Sequence, residues 1–229
     1  MLDTLPEDFD SVLLVMAHPD DPEYGSAAAV ARWLAEGKRV GYVLASRGEA
    51  GIAGLPPAES ARIREAEQRA ACAAIGVEHL VFLDEPDGSI MYTRELRTAI
   101  AEKIRRFRPE VVMVLNFHET FGGRHPNSAD HRHVGLEALD AVSDAGNEWI
   151  VPGERYQGVK YILEFAGEPT HVVDVDGHVD AAVTSLMAHE RYLQALSDAP
   201  VEEQARAQSE RATAVEGFDT PHIAVRLDG

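Results

Sequence analysis

The chain has 229 residues, of which 45% are hydrophobic and 26% charged. This is the usual balance of a folded globular protein and excludes a disordered or fibrous chain. The length is sufficient for one substantial core and requires no second domain, so we expect a single domain over residues 1–229. The formal net charge of −18 disfavours nucleic acid and anionic membranes as partners, because binding to either depends on clustered Lys and Arg.

The sequence contains no pattern typical of a targeting or membrane-spanning segment. Its first ten residues are acidic and lack the basic-then-apolar pattern of a secretory signal. The longest apolar run, residues 12–17, is too short to cross a bilayer. The single cysteine, Cys72, excludes an internal disulfide and is typical of a reducing compartment. We therefore expect a cytoplasmic protein, and the sequence leaves homo-oligomerisation open.

Predicted strands and helices alternate through the first half of the chain. Residues 11–17 form a continuous apolar run, as in a strand covered on both faces, and a helix at 27–36 follows and ends at Gly37. The same patterns recur as strands at 39–45, 79–83 and 111–115 and helices at 59–75 and 94–107. Because a parallel crossover needs a helix to return the chain, this alternation predicts an α/β fold. We expect a Rossmann-like, doubly wound, mostly parallel sheet with helices on both faces.

The second half is predicted to be less regular. A long polar loop at 117–132 precedes a helix at 134–142, and loops of this length usually carry function. The acidic segment 198–204 is interpreted as solvated surface. The remaining predicted elements are strands at 158–165 and 171–175, a helix at 179–196 and an extended segment at 217–226.

The segment Ala-His-Pro-Asp-Asp, residues 17–21, stands where the first strand should end and before its helix begins. Ligands of such sheets bind beyond the carboxyl ends of the strands, so this segment lies at the expected functional edge. His18 and Asp21 supply an imidazole and a carboxylate, and Asp20 supplies a second carboxylate; mixed donors of this kind are typical of a metal site. Taken alone, the segment is also typical of a turn in which an aspartate caps the next helix.

A second polar cluster, residues 125–133, follows the fourth predicted strand and therefore falls at the same edge of the sheet. A histidine from this cluster can meet His18 and Asp21 in space. Two histidines and one aspartate would then hold zinc and leave a fourth position for water, as in catalytic zinc sites. Zinc lowers the pKa of bound water to roughly 7, and Asp20 would take the proton.

These two motifs resemble those of the PIG-L/LmbE-like family of zinc-dependent N-acetylglucosaminyl-type deacetylases, which carry an A-H-P-D-D element and a later D-H element. The resemblance implies that His18, Asp21 and His131 bind zinc. It also implies that Asp20 is the general base and that Asp130 contacts a metal ligand without binding the metal itself. Fe²⁺ is compatible with the same ligand set.

Weaker similarities extend the resemblance over residues 12–189. Arg64 and Glu67 are similar to the R-x-x-E of the family's second helix. Residues 46–49 are similar to its T-x-G-E loop, and residues 171–175 to its H-x-x-V-D-V strand. For Arg64 we expect either contact with the substrate or a solvated charge whose stem packs on the core.

The chain departs from the family pattern in its second motif. The family commonly has H-P-D-H, whereas residues 128–131 are Ser-Ala-Asp-His, so the usual oxyanion histidine is absent from that position. His125, which is followed by its own proline, is the predicted substitute. His118 and His133 are competing candidates, and surface exposure is the alternative for His125 and His133. Residues 189–191 are His-Glu-Arg, where many members have H-x-S-Q.

The motifs together predict a zinc-dependent deacetylase that hydrolyses an N-acyl amide, most simply N-acetyl, of an amino sugar or sugar conjugate. Its partner would be this small N-acylated molecule. One alternative is a zinc amidase that acts on a thiol conjugate or an acylated secondary metabolite. The other is a non-catalytic Rossmann-like module that binds a sugar or nucleotide. Residues 48–54 lack the G-x-G-x-x-G spacing of a dinucleotide site, and Cys72 is predicted to be a core residue.

Overall fold

The computed structural model describes residues 2–121 and 124–228. The strands are β1 (Asp3–Thr4), β2 (Ser11–Met16), β3 (Arg39–Leu44), β4 (His79–Phe82), β5 (Val111–Leu115), β6 (Thr120–Phe121), β7 (His125–Pro126), β8 (Tyr161–Phe165), β9 (His171–Asp174) and β10 (His222–Asp228). The helices are α1 (Ala27–Ala35), α2 (Pro57–Ile75), α3 (Arg94–Phe107), α4 (Ala129–Ala145), α5 (Val179–Met187), α6 (Glu190–Leu196) and α7 (Val201–Thr213). No helix within the described ranges has an apolar stretch long enough to cross a lipid bilayer.

Eight strands form one sheet in the order β1-β9-β10-β8-β5-β2-β3-β4. Neighbouring strands are parallel except at β10, which runs antiparallel to β8 and β9. From β2 the chain moves outward through β3 and β4 and then returns to β5 on the other side of β2. The strand order therefore reverses between β2 and β5, which is where ligands bind in doubly wound sheets. The predicted α/β class is confirmed.

Two apolar clusters cover the two faces of the sheet. In β2, Val12 and Leu14 belong to the cluster that contains α1, whereas Leu13 and Val15 belong to the cluster that contains α3 and α4. Successive residues of a strand point to opposite faces, so a strand covered on both sides is apolar throughout. This explains the uninterrupted apolar run in the sequence. Cys72 packs in the first cluster, as predicted.

The predictions for the first half agree with the structure to within two residues at each element end. The predicted loop at 117–132 is partly wrong. Strands β6 and β7 form a short antiparallel ribbon within it, and α4 begins at Ala129 rather than at residue 134. The Ser128 side chain caps this helix by accepting a hydrogen bond from the backbone N–H of His131 at 3.1 Å. Residues 122–123 of this predicted loop lie outside the described residues.

The single helix predicted at 179–196 is wrong, since α5 ends at Met187 and α6 begins at Glu190. Helix α7 was missed because its acidic start was interpreted only as solvated surface. Its buried residues, Ala205, Ser209 and Thr213, recur every four positions and form a narrow stripe that packs towards the rest of the protein. Strand β1 was also missed. The single-domain and cytoplasmic assignments stay predictions.

Candidate metal and catalytic site

The first motif forms a tight turn between β2 and α1, and Asp20 lies at its centre. Asp20 has a positive φ of 84°, a backbone conformation that is uncommon for residues other than glycine. Its N–H donates to Gln68 Oε1 on α2 at 2.8 Å. Its carbonyl oxygen accepts from the N–H groups of Glu23 at 2.8 Å and Tyr24 at 3.0 Å. Hydrogen bonds on both sides of the residue therefore hold the turn.

The three predicted metal ligands lie together at the carboxyl ends of β2 and β5. His18 Nδ1 is 3.2 Å from His131 Nε2, and Asp21 Oδ1 is 3.3 Å from the same nitrogen. One donor atom from each residue lies within 4.8 Å of the other two. Two imidazole nitrogens and one carboxylate suit a divalent ion such as Zn²⁺ or Fe²⁺, so this donor set fits a resident metal.

His131 is oriented by Asn127, a residue that the sequence did not distinguish from its polar neighbours. His131 Nδ1 is 3.0 Å from Asn127 Oδ1. The amide oxygen can only accept, so Nδ1 carries the proton and the lone pair of Nε2 faces His18 and Asp21. The Asn127 amide nitrogen donates to the carbonyl oxygens of Asn116 at 2.6 Å and His118 at 3.0 Å. Asn127 therefore presents His131 in the tautomer that binds a metal.

His18 is oriented from its other ring nitrogen by two carboxylates. His18 Nε2 is 3.1 Å from Asp130 Oδ2 and 3.1 Å from Asp87 Oδ1. Asp130 also accepts from the N–H groups of Gly88 at 2.7 Å and Ile90 at 3.1 Å. The structure thus places Asp130 in contact with a predicted metal ligand, as the resemblance implies. Asp87 was missed, although it follows the carboxyl end of a predicted strand and so belongs to the functional edge.

The carboxylates make this site favourable for positive charge. Burial alone lowers the pKa of His18, but the carboxylates of Asp130, Asp21 and Asp87 raise it well above its ordinary value. Burial raises the pKa of Asp21, yet His131 and His18 outweigh burial and hold that pKa well below its usual range. Both shifts arise because opposite charges on neighbouring side chains stabilise each other.

Asp20 lies beside the predicted metal ligands, and the side chain of Arg64 contacts it. Burial raises the pKa of Asp20 to about 6, although the positive charge of Arg64 opposes the rise. Arg64 donates to Asp20 Oδ1 and to the carbonyl oxygen of Pro19, and its guanidinium stacks over the ring of Tyr192 at 3.8 Å. Arg64 is only 2% exposed, so the alternative of a solvated charge is wrong. A carboxyl with a pKa near neutral is suited to taking and returning a proton.

A cavity of about 900 Å³ opens over these groups. Its polar lining comprises the two histidines and two aspartates of the site, together with Arg64, Asp87, His125, Ser128, Gln208 and Arg211. The side chains that form its apolar walls are Tyr24, Leu115, Phe121, Phe165, Tyr192 and Leu196. The volume lies within the range of small-molecule sites, and a lining that combines apolar side chains with a set of polar groups is typical of them.

Of the three histidines considered for the oxyanion role, His125 lines this cavity from the exposed ribbon strand β7. His118 Nε2 instead lies 3.4 Å from Glu164 Oε2. His133 Nδ1 lies 2.6 Å from the carbonyl oxygen of Ile90. The geometry therefore favours His125 over the other two candidates.

Comparison with known proteins agrees with this site. The family model described as PIG-L: GlcNAc-PI de-N-acetylase matches residues 13–142, more than half of the chain, and the chain belongs to this family. The predicted resemblance is confirmed, and membership makes the chain an N-deacetylase, an amide hydrolase, rather than a non-catalytic binding module.

The chain is 28% identical over 191 residues to a diacetylchitobiose deacetylase of Thermococcus kodakarensis, covering 80% of this chain and 70% of that protein. It is 32% identical over 160 residues to a 1D-myo-inositol 2-acetamido-2-deoxy-alpha-D-glucopyranoside deacetylase of Geodermatophilus obscurus, covering 58% of this chain and 54% of that protein. The structure of N,N'-diacetylchitobiose deacetylase from Pyrococcus horikoshii has the same fold, with a TM-score of 0.83 at 20% identity over 97% of this chain and 85% of that chain.

Proposed function

We propose that this chain is a zinc-dependent deacetylase that releases acetate from the nitrogen of an acetylated amino sugar or sugar conjugate. The observation that carries the proposal is the convergence of His18, Asp21 and His131 beside Asp20 on the wall of one cavity. The two relatives described above are named for the removal of acetyl groups from acetamido sugars, which supports the substrate class.

His18, Asp21 and His131 would hold the metal, and three protein ligands are the number expected for catalytic zinc. When bound, the ion supplies Lewis acidity, which polarises a carbonyl and makes water a better nucleophile at neutral pH. Fe²⁺ suits the same ligands. Zinc is the proposed resident ion because nitrogen and carboxylate donors in this number are typical of it.

Asp20 is the proposed proton carrier of the reaction. Its raised pKa lets it take a proton from the attacking water and return it to the departing amine. Arg64 holds one oxygen of this carboxylate and thereby orients it. His125, on the cavity wall, is the proposed donor to the oxyanion that forms as the amide carbonyl is attacked.

The cavity, at about 900 Å³, lies near the upper end of the range for small-molecule sites and so has room for a sugar conjugate or disaccharide. Apolar side chains of the lining such as Phe165 and Leu196 would contact the part of the substrate beyond the acetamido ring. The same apolar walls favour, as a second candidate, an acylated conjugate whose leaving part is not a sugar.

The test is an assay for free amine with the zinc-loaded protein and a panel of acetylated monosaccharides, disaccharides and sugar conjugates. Asp20→Asn should bind metal normally and lose about 10²- to 10⁴-fold in kcat. His131→Ala should lose the metal. Asp180→Asn is the matched control, because Asp180 is exposed on α5 and pairs with Arg206. An Asp20→Asn protein with wild-type kcat would overturn the proposal.

A further inference from the structure

A chain of buried polar side chains lies behind the turn that carries Asp20. Gln68 of α2 is fully buried, and its Oε1 accepts from the Asp20 N–H at 2.8 Å. Its Nε2 donates to the two carboxylate oxygens of Glu23 at 3.1 and 3.2 Å. His189, fully buried at the break between α5 and α6, places Nε2 3.4 Å from Glu23 Oε2. Gln68 therefore joins the catalytic turn to α2 at two points, and His189 lies against the same turn through Glu23.

The partners of Gln68 determine the orientation of its amide. The backbone N–H of Asp20 can only donate, so it must face the oxygen of the amide. The carboxylate of Glu23 accepts, so it must face the nitrogen. Rotating the amide by half a turn would break both interactions at once. Gln68 is thus held in one orientation and presents a fixed acceptor to Asp20.

Asp20 needs such support because its backbone is in the left-handed region, with φ at 84°. Residues other than glycine stay there only where their surroundings hold them. The Asp20 carbonyl oxygen is already held by the N–H groups of Glu23 and Tyr24. Gln68 supplies the bond on the N–H side. Without it, the peptide that precedes Asp20 is held only at its Pro19 carbonyl oxygen, which accepts from Arg64, and its buried N–H has no partner. The peptide can then tilt, and the carboxylate shifts with it.

We propose that Gln68 is a positioning residue for the deacetylation reaction, acting through the backbone of Asp20 rather than on the substrate. This inference rests on the proposed function, in which Asp20 carries the proton. The purely structural alternative is that Gln68 only provides a hydrogen-bond donor for the buried carboxyl group of Glu23. The two differ in what they predict for turnover, since a displacement of about 1 Å of a reacting group costs about 100-fold.

The test replaces Gln68 with methionine, which has a similar length and no hydrogen-bonding amide. Gln68→Met should bind one metal ion per chain, keep KM and lose about 10- to 100-fold in kcat. The matched control is Ser185→Ala. Ser185 is buried on α5, and its Oγ donates to the carbonyl oxygen of Ala71 at 3.0 Å. Ala71 lies on α2, the helix that carries Gln68, so this substitution also removes a buried hydrogen bond of α2. The control should lower the melting temperature and keep kcat.

A Gln68→Met protein that behaves like Ser185→Ala, less stable but with wild-type kcat, overturns the proposal, as does a raised KM with unchanged kcat. Should the methionine variant not fold, Gln68→Asn, which is one methylene shorter, is measured in its place with the same expected loss. Asp20→Asn is assayed in parallel. If that protein is fully active, the proposed function itself fails; if it is inactive while Gln68→Met is fully active, only the role of Gln68 fails.

Discussion

Asn127→Ala is expected to weaken metal binding without removing any ligand. Asn127 is buried, and its oxygen lies 3.0 Å from His131 Nδ1. Loss of that acceptor releases the ring to rotate and to place its proton on either nitrogen. Only the form with the proton on Nδ1 presents the Nε2 lone pair to the metal. In the variant, a fraction of the molecules therefore holds His131 in a tautomer that cannot bind the metal.

The expected magnitude follows from the bonds that are lost. Partners that orient a metal-bound histidine typically change metal affinity by about 10- to 100-fold, or about 1.4 to 2.7 kcal/mol. The amide nitrogen also donates to the carbonyl oxygens of Asn116 and His118. With the bond to His131, three hydrogen bonds are lost. At about 1 kcal/mol for each, the metal-free protein should lose about 3 kcal/mol of unfolding free energy. For a chain of this size that is roughly 6–12 °C in melting temperature.

The assay is a zinc titration of the apo protein in competition with a chromophoric chelator. Asn127→Asp separates the two effects, because it keeps an acceptor for His131 and loses both donors. It should keep metal affinity and lose stability. Asn147→Ala is the control, since Asn147 caps a turn by accepting from the N–H of Trp149 at 2.9 Å away from the site. A wild-type Kd for zinc in Asn127→Ala would refute the argument.

Three further predictions concern the rest of the molecule. Burial raises the pKa of Glu137 from 4.5 to about 7, so the folded state keeps a proton that the unfolded chain loses; stability should fall by up to about 3 kcal/mol as pH rises through this interval. Glu137→Gln keeps the acceptor for the Thr93 N–H and should flatten that slope in urea denaturation between pH 5 and 8. In Gly25→Ala the new Cβ would lie 1.6 Å from Phe165 Cζ, so thermal denaturation should show a loss of about 1–3 kcal/mol, and an unchanged melting temperature would contradict the packing. Removal of the metal with a chelator should abolish deacetylation and lower the melting temperature, and added zinc should restore both, because the ion binds only the folded chain.

Much of the fold was predictable because its local patterns repeat. Continuous apolar strands such as residues 11–17 alternate with amphipathic helices, and parallel strands joined by helices admit few arrangements. The same regularity predicted, from the sequence alone, that His18, Asp20 and Asp21 lie at the carboxyl edge of the sheet. Helix α7 escaped prediction because its buried stripe is one residue wide and lies among charges. The break at His189 escaped because helical periodicity continues across it.

The sequence by itself determined the class of sheet, the edge that carries the site and, through resemblance, the proposed metal ligands. Only the tertiary structure decided what stands behind those ligands: Asn127 against His131, Asp87 against His18, and Gln68 against Asp20. The last two pairs join segments that are distant in the chain. Gln68 does lie on the buried stripe of α2, but that pattern does not show which group its amide meets. Periodicity encodes which face of an element is buried, whereas the partner of a single polar side chain depends on how separate elements pack together.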